Sequence, residues 1–460
     1  MAMRPSRGFQ KTIFVIALGA ILLFAAYLRF AVVTQSLVWG PYRADAAQYY
    51  NYAYNLRKYG TYSDEQETVT GHATDPKPDA FRTPGYPLFL AIFASQPPNN
   101  KTFLMIELWQ AFLGTITVLI IFLIFRPIVP PWLALCTALL TAISPHLVNT
   151  TIYILSETLF TLLIAAAIYV MGLHFKNNKW FFPSMLVSGL IIGLAALTRP
   201  VLEYFLPCVV LLLFISYSRP QAWKGCAVLV LGFLLAWGPW VARNYASVGK
   251  AENNQLMLGT LHQGMYPGLM YHDDPRTRGY PYRFDPNYAR TNKNLTTVTR
   301  EILHSFEKNP GQELSWYLIG KPIMLWSWGM IAGPGDVFIY PTLITPYSSS
   351  QVFRITHAFM YGLHWPLVIA AFFACILVWL PIAKHYFDTK QVFMLRAMSL
   401  LLSYNTGLLM IGAPYTRYSI PFLPILFGMA IAFAYFAYCY LGQLRKQSKA
   451  NYATKRRHKV

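Results

Sequence analysis

The chain has 460 residues, of which 55% are hydrophobic and only 12% charged, with a formal net charge of +20. Apolar runs of about twenty residues recur along it, which excludes a soluble globular domain and indicates a polytopic helical membrane protein. The basic residues lie in short loops and tails beside these runs, where they orient helices and meet anionic lipid, so the positive charge points to a membrane surface and not to nucleic acid.

The basic N-terminus MAMRPSRGFQK leads into an apolar run at 12–34. Its length and the lack of a small-x-small cleavage site favour an uncleaved first helix with a cytoplasmic N-terminus, which puts residues 35–101 outside. That segment contains YRADAAQYYNYAYNLRKYG, expected to be helical from about residue 44 and to stop at Gly60. It also contains FRTPGYPLFLAIF, whose apolar run is too short to cross. Both read as helices lying along the interface.

Further spans are expected at 102–125, 130–148, 151–173, 181–198, 201–217 and 224–243. Arg126, Lys176, Lys179, Arg219 and Lys224 mark alternate loops as cytoplasmic. Residues 244–350 form a second external region. Within it the modestly apolar stretch 314–332, with Lys321 and Pro322, is expected to be a surface helix, because a crossing there would invert everything that follows. Spans near 355–381, 391–411 and 417–441 and a basic tail, 442–460, complete an all-α architecture of about ten transmembrane helices with a cytoplasmic C-terminus. Its divisions are an N-terminal membrane module, 1–248, carrying the first external loop; a large external loop, 249–350; and the C-terminal helices, 351–441.

In this topology every Asp or Glu except Asp388 falls outside or close to the outer end of a span. Avoidance of the anionic cytoplasmic leaflet explains part of that bias, and an active site on the outer face also collects acids. Asp45 is the first candidate. On a helix over 44–58 it shares a face with Gln48, Tyr49 and Tyr52, so a carboxylate framed by phenols is one reading; an N-cap at the positive end of the helix dipole is a compatible other. Glu157 is placed a turn or two into an apolar span, where an ionisable group is costly and by default has a partner or a function.

Arg82, Arg199, Arg243 and Arg417 each sit at the outer end of an expected span. Any one of them can be explained by snorkelling. Four at one leaflet suit a ring that holds a phosphate through bidentate guanidinium contacts. Tyr49, Tyr52 and Tyr86 are the expected substrate contacts. The histidines, among them His72, His262 and His272, form no HxxE, HExxH or DxD pattern, and the five cysteines lie in hydrophobic segments without ligand spacing, so neither a metal nor another cofactor is indicated.

Taken in order, the motifs form a family pattern. The acid before a tyrosine-rich helix is followed by R-x-P-G-Y-P at 82–87, S-E-T-L-F at 156–160, T-R-P at 198–200, P-W-x-x-R-N-Y at 239–245 and R-Y-x-x-P-x-x-P at 417–424. Together they resemble the GT-C membrane glycosyltransferases, especially the bacterial relatives of protein O-mannosyltransferases and the lipid A aminoarabinose transferase. The resemblance implies a polyprenyl-phosphate sugar as donor, an acceptor hydroxyl on a glycan, lipid or protein, and inversion at the anomeric carbon. It implies that Asp45 is the general base, that Glu157 is the second external acid, and that Arg82 and Arg417 bind the lipid phosphate. The expected location is a bacterial inner membrane with the site on its outer side.

Two departures stand out. Ala46 follows Asp45 where many relatives carry a second acid, and the soluble external domain of the larger relatives has no counterpart in this sequence. A transporter or flippase of lipid-linked sugars, or a polysaccharide ligase or polymerase using a pyrophosphate donor, draws on similar residues. A transporter, however, places its charges near the midplane and often repeats its halves, and no internal repeat is visible here.

Overall fold

The computed structural model describes residues 7–175, 177–251 and 254–457. The first six residues, Lys176 and the end of the basic tail lie outside the described residues. Among the described residues eight helices are long and apolar enough to cross a membrane, or nine if one bent pair is a single span. The protein is an integral membrane protein of all-α architecture, although length and composition do not reach the expected ten spans.

The bent pair replaces the straight span expected at 130–148. Helices Pro131–Ile143 and Pro145–Asn149 meet at about 50°. Pro145 has no N–H to give the carbonyl of Thr141, so the helical ladder breaks there. Arg29, fully buried in the first helix, supplies the missing donors to the carbonyls of Thr141 (3.1 Å) and Ala142 (3.0 Å). A buried cation thus satisfies the backbone carbonyls left open at the bend.

The second departure is the run 200–217, which forms only the short helix Leu206–Ser216. The helices on either side of it, Phe181–Thr198 and Arg219–Val248, pack in parallel, with Gly189 facing Leu229, Gly193 facing Phe233 and Ala236, and Gly232 facing Leu186. A Cβ on Gly189 or on Gly232 would lie 2.0 Å from a carbonyl oxygen of the other helix, so the two backbones touch as small residues allow. Two consecutive parallel helices require the chain between them to travel back along the bundle. Leu206–Ser216 makes that return.

The segment after the first span forms the helix Ala44–Tyr59, which ends at Gly60 in the left-handed conformation (φ 69°) with its N–H donated to the carbonyl of Leu56. The short helix Gly85–Ala91 follows and lies against the end of Phe181–Thr198. Gly85 is needed at this junction, because a Cβ there would meet Thr198 Oγ1 at 2.5 Å. The long segment between the spans Arg219–Val248 and Gln351–Leu377 begins with the helix Gln255–Gly264 and ends in the strand Thr342–Ile344, which pairs antiparallel with Leu37–Val38. The two inter-span segments are thereby joined at the end of the first span.

Between them lies a helical run from Pro310 to Leu325 with a π-turn at Trp316–Gly320. It falls short of a span, in keeping with the surface helix expected near 314–332. The segment beyond it, 326–341, is irregular.

Candidate active site

Four ends of the chain meet at one end of the bundle: the start of Ala44–Tyr59 after the first span, the start of Glu157–Gly172, the end of Phe181–Thr198, and the Thr416–Phe422 turn that opens the last span. Each carries one of the expected charges, and a fifth comes from Arg82 just before Gly85. Arg82 Nη2 is 2.7 Å from Asp45 Oδ1, and Arg417 Nη1 is 3.0 Å from Asp45 Oδ2. The other side of Arg417 donates from Nε to Glu157 Oε1. The same oxygen lies 2.8 Å from Arg199 Nη1, an ion pair whose geometry is not that of a hydrogen bond.

Three guanidiniums and two carboxylates therefore form one continuous cluster with a single net positive charge. The two acids have different settings. Asp45 is about one-third exposed (32%), whereas Glu157 has no exposed side-chain surface and its Oε2 has no partner. Burial raises the Asp45 carboxyl, but Arg82 and Arg417 outweigh that and hold it down to about 2. Burial lowers Arg82, and Tyr49 and Asp45 more than reverse this, raising it.

A cavity of about 410 Å³ opens over the cluster. Asp45, Arg82, Arg199 and Arg417 line it, as do Tyr49 and Tyr418. The Tyr49 ring lies 5.2 Å from the Arg82 guanidinium and that of Tyr418 5.3 Å from Arg199, so the cations are stacked as well as paired. Much of the remaining lining is apolar, from Trp237 and Trp240 of one span, Leu256 and Met257 of the Gln255–Gly264 helix, and Leu408 and Ile411 at the end of another span, with Glu203 as a further acid. A charged floor against an apolar wall fits a ligand with an anionic head and a hydrocarbon body.

Several expectations change. Glu157 is the first residue of its helix, not a turn or two inside it, and it lies beneath the arginines off the cavity wall. Asp45 is the second residue of its helix; Arg43 occupies the N-cap position, so the capping reading is replaced by the two ion pairs. Tyr52 is fully buried, stacked on Tyr62 and bonded to Asp79, and Tyr86 is fully buried with its hydroxyl on Gln110 Oε1 (2.9 Å). Neither lines the cavity.

Arg243 also lies outside the cluster. It donates to the carbonyls of Asp79 (2.6 Å) and Tyr62 (3.0 Å) and so clamps the loop after the Ala44–Tyr59 helix. Among the described residues no group of three or more His, Cys, Asp and Glu side chains is placed to hold a metal. The apolar wall from Gln255–Gly264 and Leu408–Ile411 was not foreseen, since nothing in those ordinary aliphatic stretches distinguishes a cavity wall from a core face. Tyr418 was in view only as the neighbour of Arg417.

Residues 81–241 match one family model. It is that of the dolichyl-phosphate-mannose-protein mannosyltransferases, and the match takes in Arg82, Glu157 and Arg199 but less than half of the chain. No curated protein matches this chain. Among solved structures, the archaeal oligosaccharyltransferase of Archaeoglobus fulgidus, in complex with an inhibitory peptide and a dolichol-phosphate, is similar over 96% of this chain and 52% of its own, with 13% identity and a TM-score of 0.51.

The protein O-mannosyltransferase complex of S. cerevisiae bound to its sugar donor is similar at 18% identity over 57% of this chain and 37% of that one (TM-score 0.39). The undecaprenyl phosphate-bound ArnT of Cupriavidus metallidurans is similar at 11% identity over 88% and 77% (TM-score 0.39). The resemblance to GT-C membrane glycosyltransferases holds for the fold, on the oligosaccharyltransferase comparison, and this chain spans about half the length of that enzyme.

Proposed function

We propose that this protein is a membrane glycosyltransferase that transfers a sugar from a polyprenyl-phosphate donor to an acceptor hydroxyl, with inversion at the anomeric carbon. The observation that carries the proposal is the position of Asp45: a carboxylate on the cavity wall, held between two guanidiniums that belong to the same wall. The family model at 81–241 and the fold shared with an oligosaccharyltransferase support the reaction class.

The donor's phosphate sits on Arg82, Arg199 and Arg417, and its hydrocarbon chain runs along the apolar wall toward the bilayer. A phosphodiester brings one negative charge to a cluster with one net positive charge. As the bond from the anomeric carbon to the phosphate oxygen breaks, the electron pair stays on the phosphate, which gains a second charge. Fixed guanidiniums stabilise that state more than the ground state, as catalysis requires.

Asp45 takes the proton of the acceptor hydroxyl while its oxygen attacks the anomeric carbon from the face opposite the phosphate. General-base assistance is worth about 10²- to 10⁴-fold, so positioning and charge stabilisation supply much of the remainder. Glu157, off the cavity wall, acts through Arg199 and Arg417 by fixing their heads. The membrane is the bacterial inner membrane, and the cluster lies on its outer side.

Mass spectrometry of envelope glycans and glycolipids from a strain lacking the protein tests the proposal. The expected result is one sugar modification lost and its lipid-linked donor accumulated. An unchanged profile of both would contradict it.

A further inference from the structure

Resting on the reading of Arg82 as a phosphate ligand, we propose that Gln48 is the positioning residue that aims Arg82, acting as a one-way link between Asp64 and the guanidinium. Gln48 lies one helical turn after Asp45 on the same face and does not line the cavity. Its Oε1 accepts from Arg82 Nε (3.0 Å) and Nη2 (2.5 Å), and its Nε2 donates to Asp64 Oδ2 (3.1 Å). A carboxylate at one end and a guanidinium at the other leave the amide a single orientation, because a flip would set donor against donor and acceptor against acceptor.

Asp64 is itself fixed. Its Oδ1 accepts from Asn51 Nδ2 (3.2 Å), and its backbone N–H donates to Asp79 Oδ2 (2.8 Å), in the loop that Arg243 clamps.

The link has a chemical purpose. Arg82 Nη2 already serves Asp45, and a second carboxylate in place of Gln48 would hold the guanidinium back from an incoming phosphate. A neutral acceptor orients the fork without competing for its charge.

The test is the affinity of the full-length protein in nanodiscs for undecaprenyl phosphate as probe, compared among wild type, Gln48→Leu, Arg82→Met and the double variant. Losing the neutral link or the guanidinium is expected to weaken binding by about tenfold or more, the worth of a hydrogen bond to a charged group. The double variant should bind no more weakly than Arg82→Met alone. Losses that multiply, or wild-type affinity in Gln48→Leu while Arg82→Met is impaired, overturn the role of Gln48. Wild-type affinity in Arg82→Met overturns instead the phosphate reading on which it rests.

A merely structural role would lower the melting temperature of Gln48→Leu and reduce affinity in both Arg82 backgrounds alike. Should Gln48→Leu fail to fold, Gln48→Glu replaces it: the added carboxylate clamps Arg82, binding falls about tenfold, and unchanged affinity overturns the proposal.

Discussion

Two guanidiniums share one oxygen of Glu157, a side chain with no exposed surface, and this sets what its loss does. Glu157→Gln removes the charge from a buried network and leaves two arginines facing one another, which typically costs about 3–5 kcal/mol. Its melting temperature in detergent is therefore expected to fall clearly, whereas a wild-type value would mean that the arginines are not held by this acid. Asp45 is expected to behave differently, because under the proposed function its partners Arg82 and Arg417 also hold the donor. In the donor-free protein its carboxyl is held at about 2, below its ordinary value, so it is ionised above that pH and protonated only as pH falls through it.

If the donor phosphate binds as proposed, it draws Arg82 and Arg417 away, and the carboxyl rises toward a stronger base. The acid limb of kcat, which reports the bound enzyme, should thus lie at higher pH than the acid limb of kcat/KM for the donor, which reports the free enzyme. Coincident limbs would argue against this exchange of partners.

Asp45, Glu157, Arg82, Arg199 and Arg417 were singled out in the sequence by their place at the ends of apolar spans, and the structure joins them in one cluster, whereas Arg243, in the same kind of place, is not part of it. Tyr52 and Tyr86, expected to touch substrate, lie in the core instead. A tyrosine at helical spacing looks the same whether its face meets a cavity or the next helix. Only the partners Asp79 and Gln110, distant in sequence, decide it.

At the scale of elements, the run Pro310–Leu325 is turned inside out. Glu313 and Lys321 point inward, while Leu314, Leu318, Ile319 and Ile323 are 51–60% exposed. Lys321 donates to the carbonyl of Ile411 at the C-terminal end of a span (3.2 Å) and lies 3.3 Å over the Tyr317 ring. Burial lowers its ammonium to about 7, and Glu313 offsets only part of that. Such an arrangement suits a helix whose outer face meets lipid and whose charges brace the segment leading to Arg417.

Labelling in liposomes with a membrane-partitioned carbene reagent should therefore modify Leu314, Leu318, Ile319 and Ile323 but spare Glu313 and Lys321. Labelling of neighbouring spans without any on this run would contradict it. The sequence marked this stretch as a surface helix because a crossing there would invert all that follows, yet could not say which face looks inward, since that depends on the end of the 389–411 span.

At the scale of the molecule, most of the spans were read correctly because hydropathy in a bilayer is close to a structural rule. The departures from regular spans have local causes: Pro145 bends one, and the return between two parallel helices is made by the short apolar run Pro200–Ser216. Of the four arginines expected to converge, the fold brings Arg82, Arg199 and Arg417 together with Asp45 and Glu157 by packing span ends against one another. Arg243 stands apart, because the same packing uses it to clamp the loop of Tyr62 and Asp79.

The account as a whole depends on Asp45 being the base and not a structural acid. Single-turnover transfer by purified Asp45→Asn in liposomes, with the polyprenyl-phosphate sugar bound beforehand, tests this most directly. The variant is expected to hold the donor as the wild type does and to lose transfer by about 10²-fold or more. Transfer at the wild-type rate from that bound donor would contradict the account.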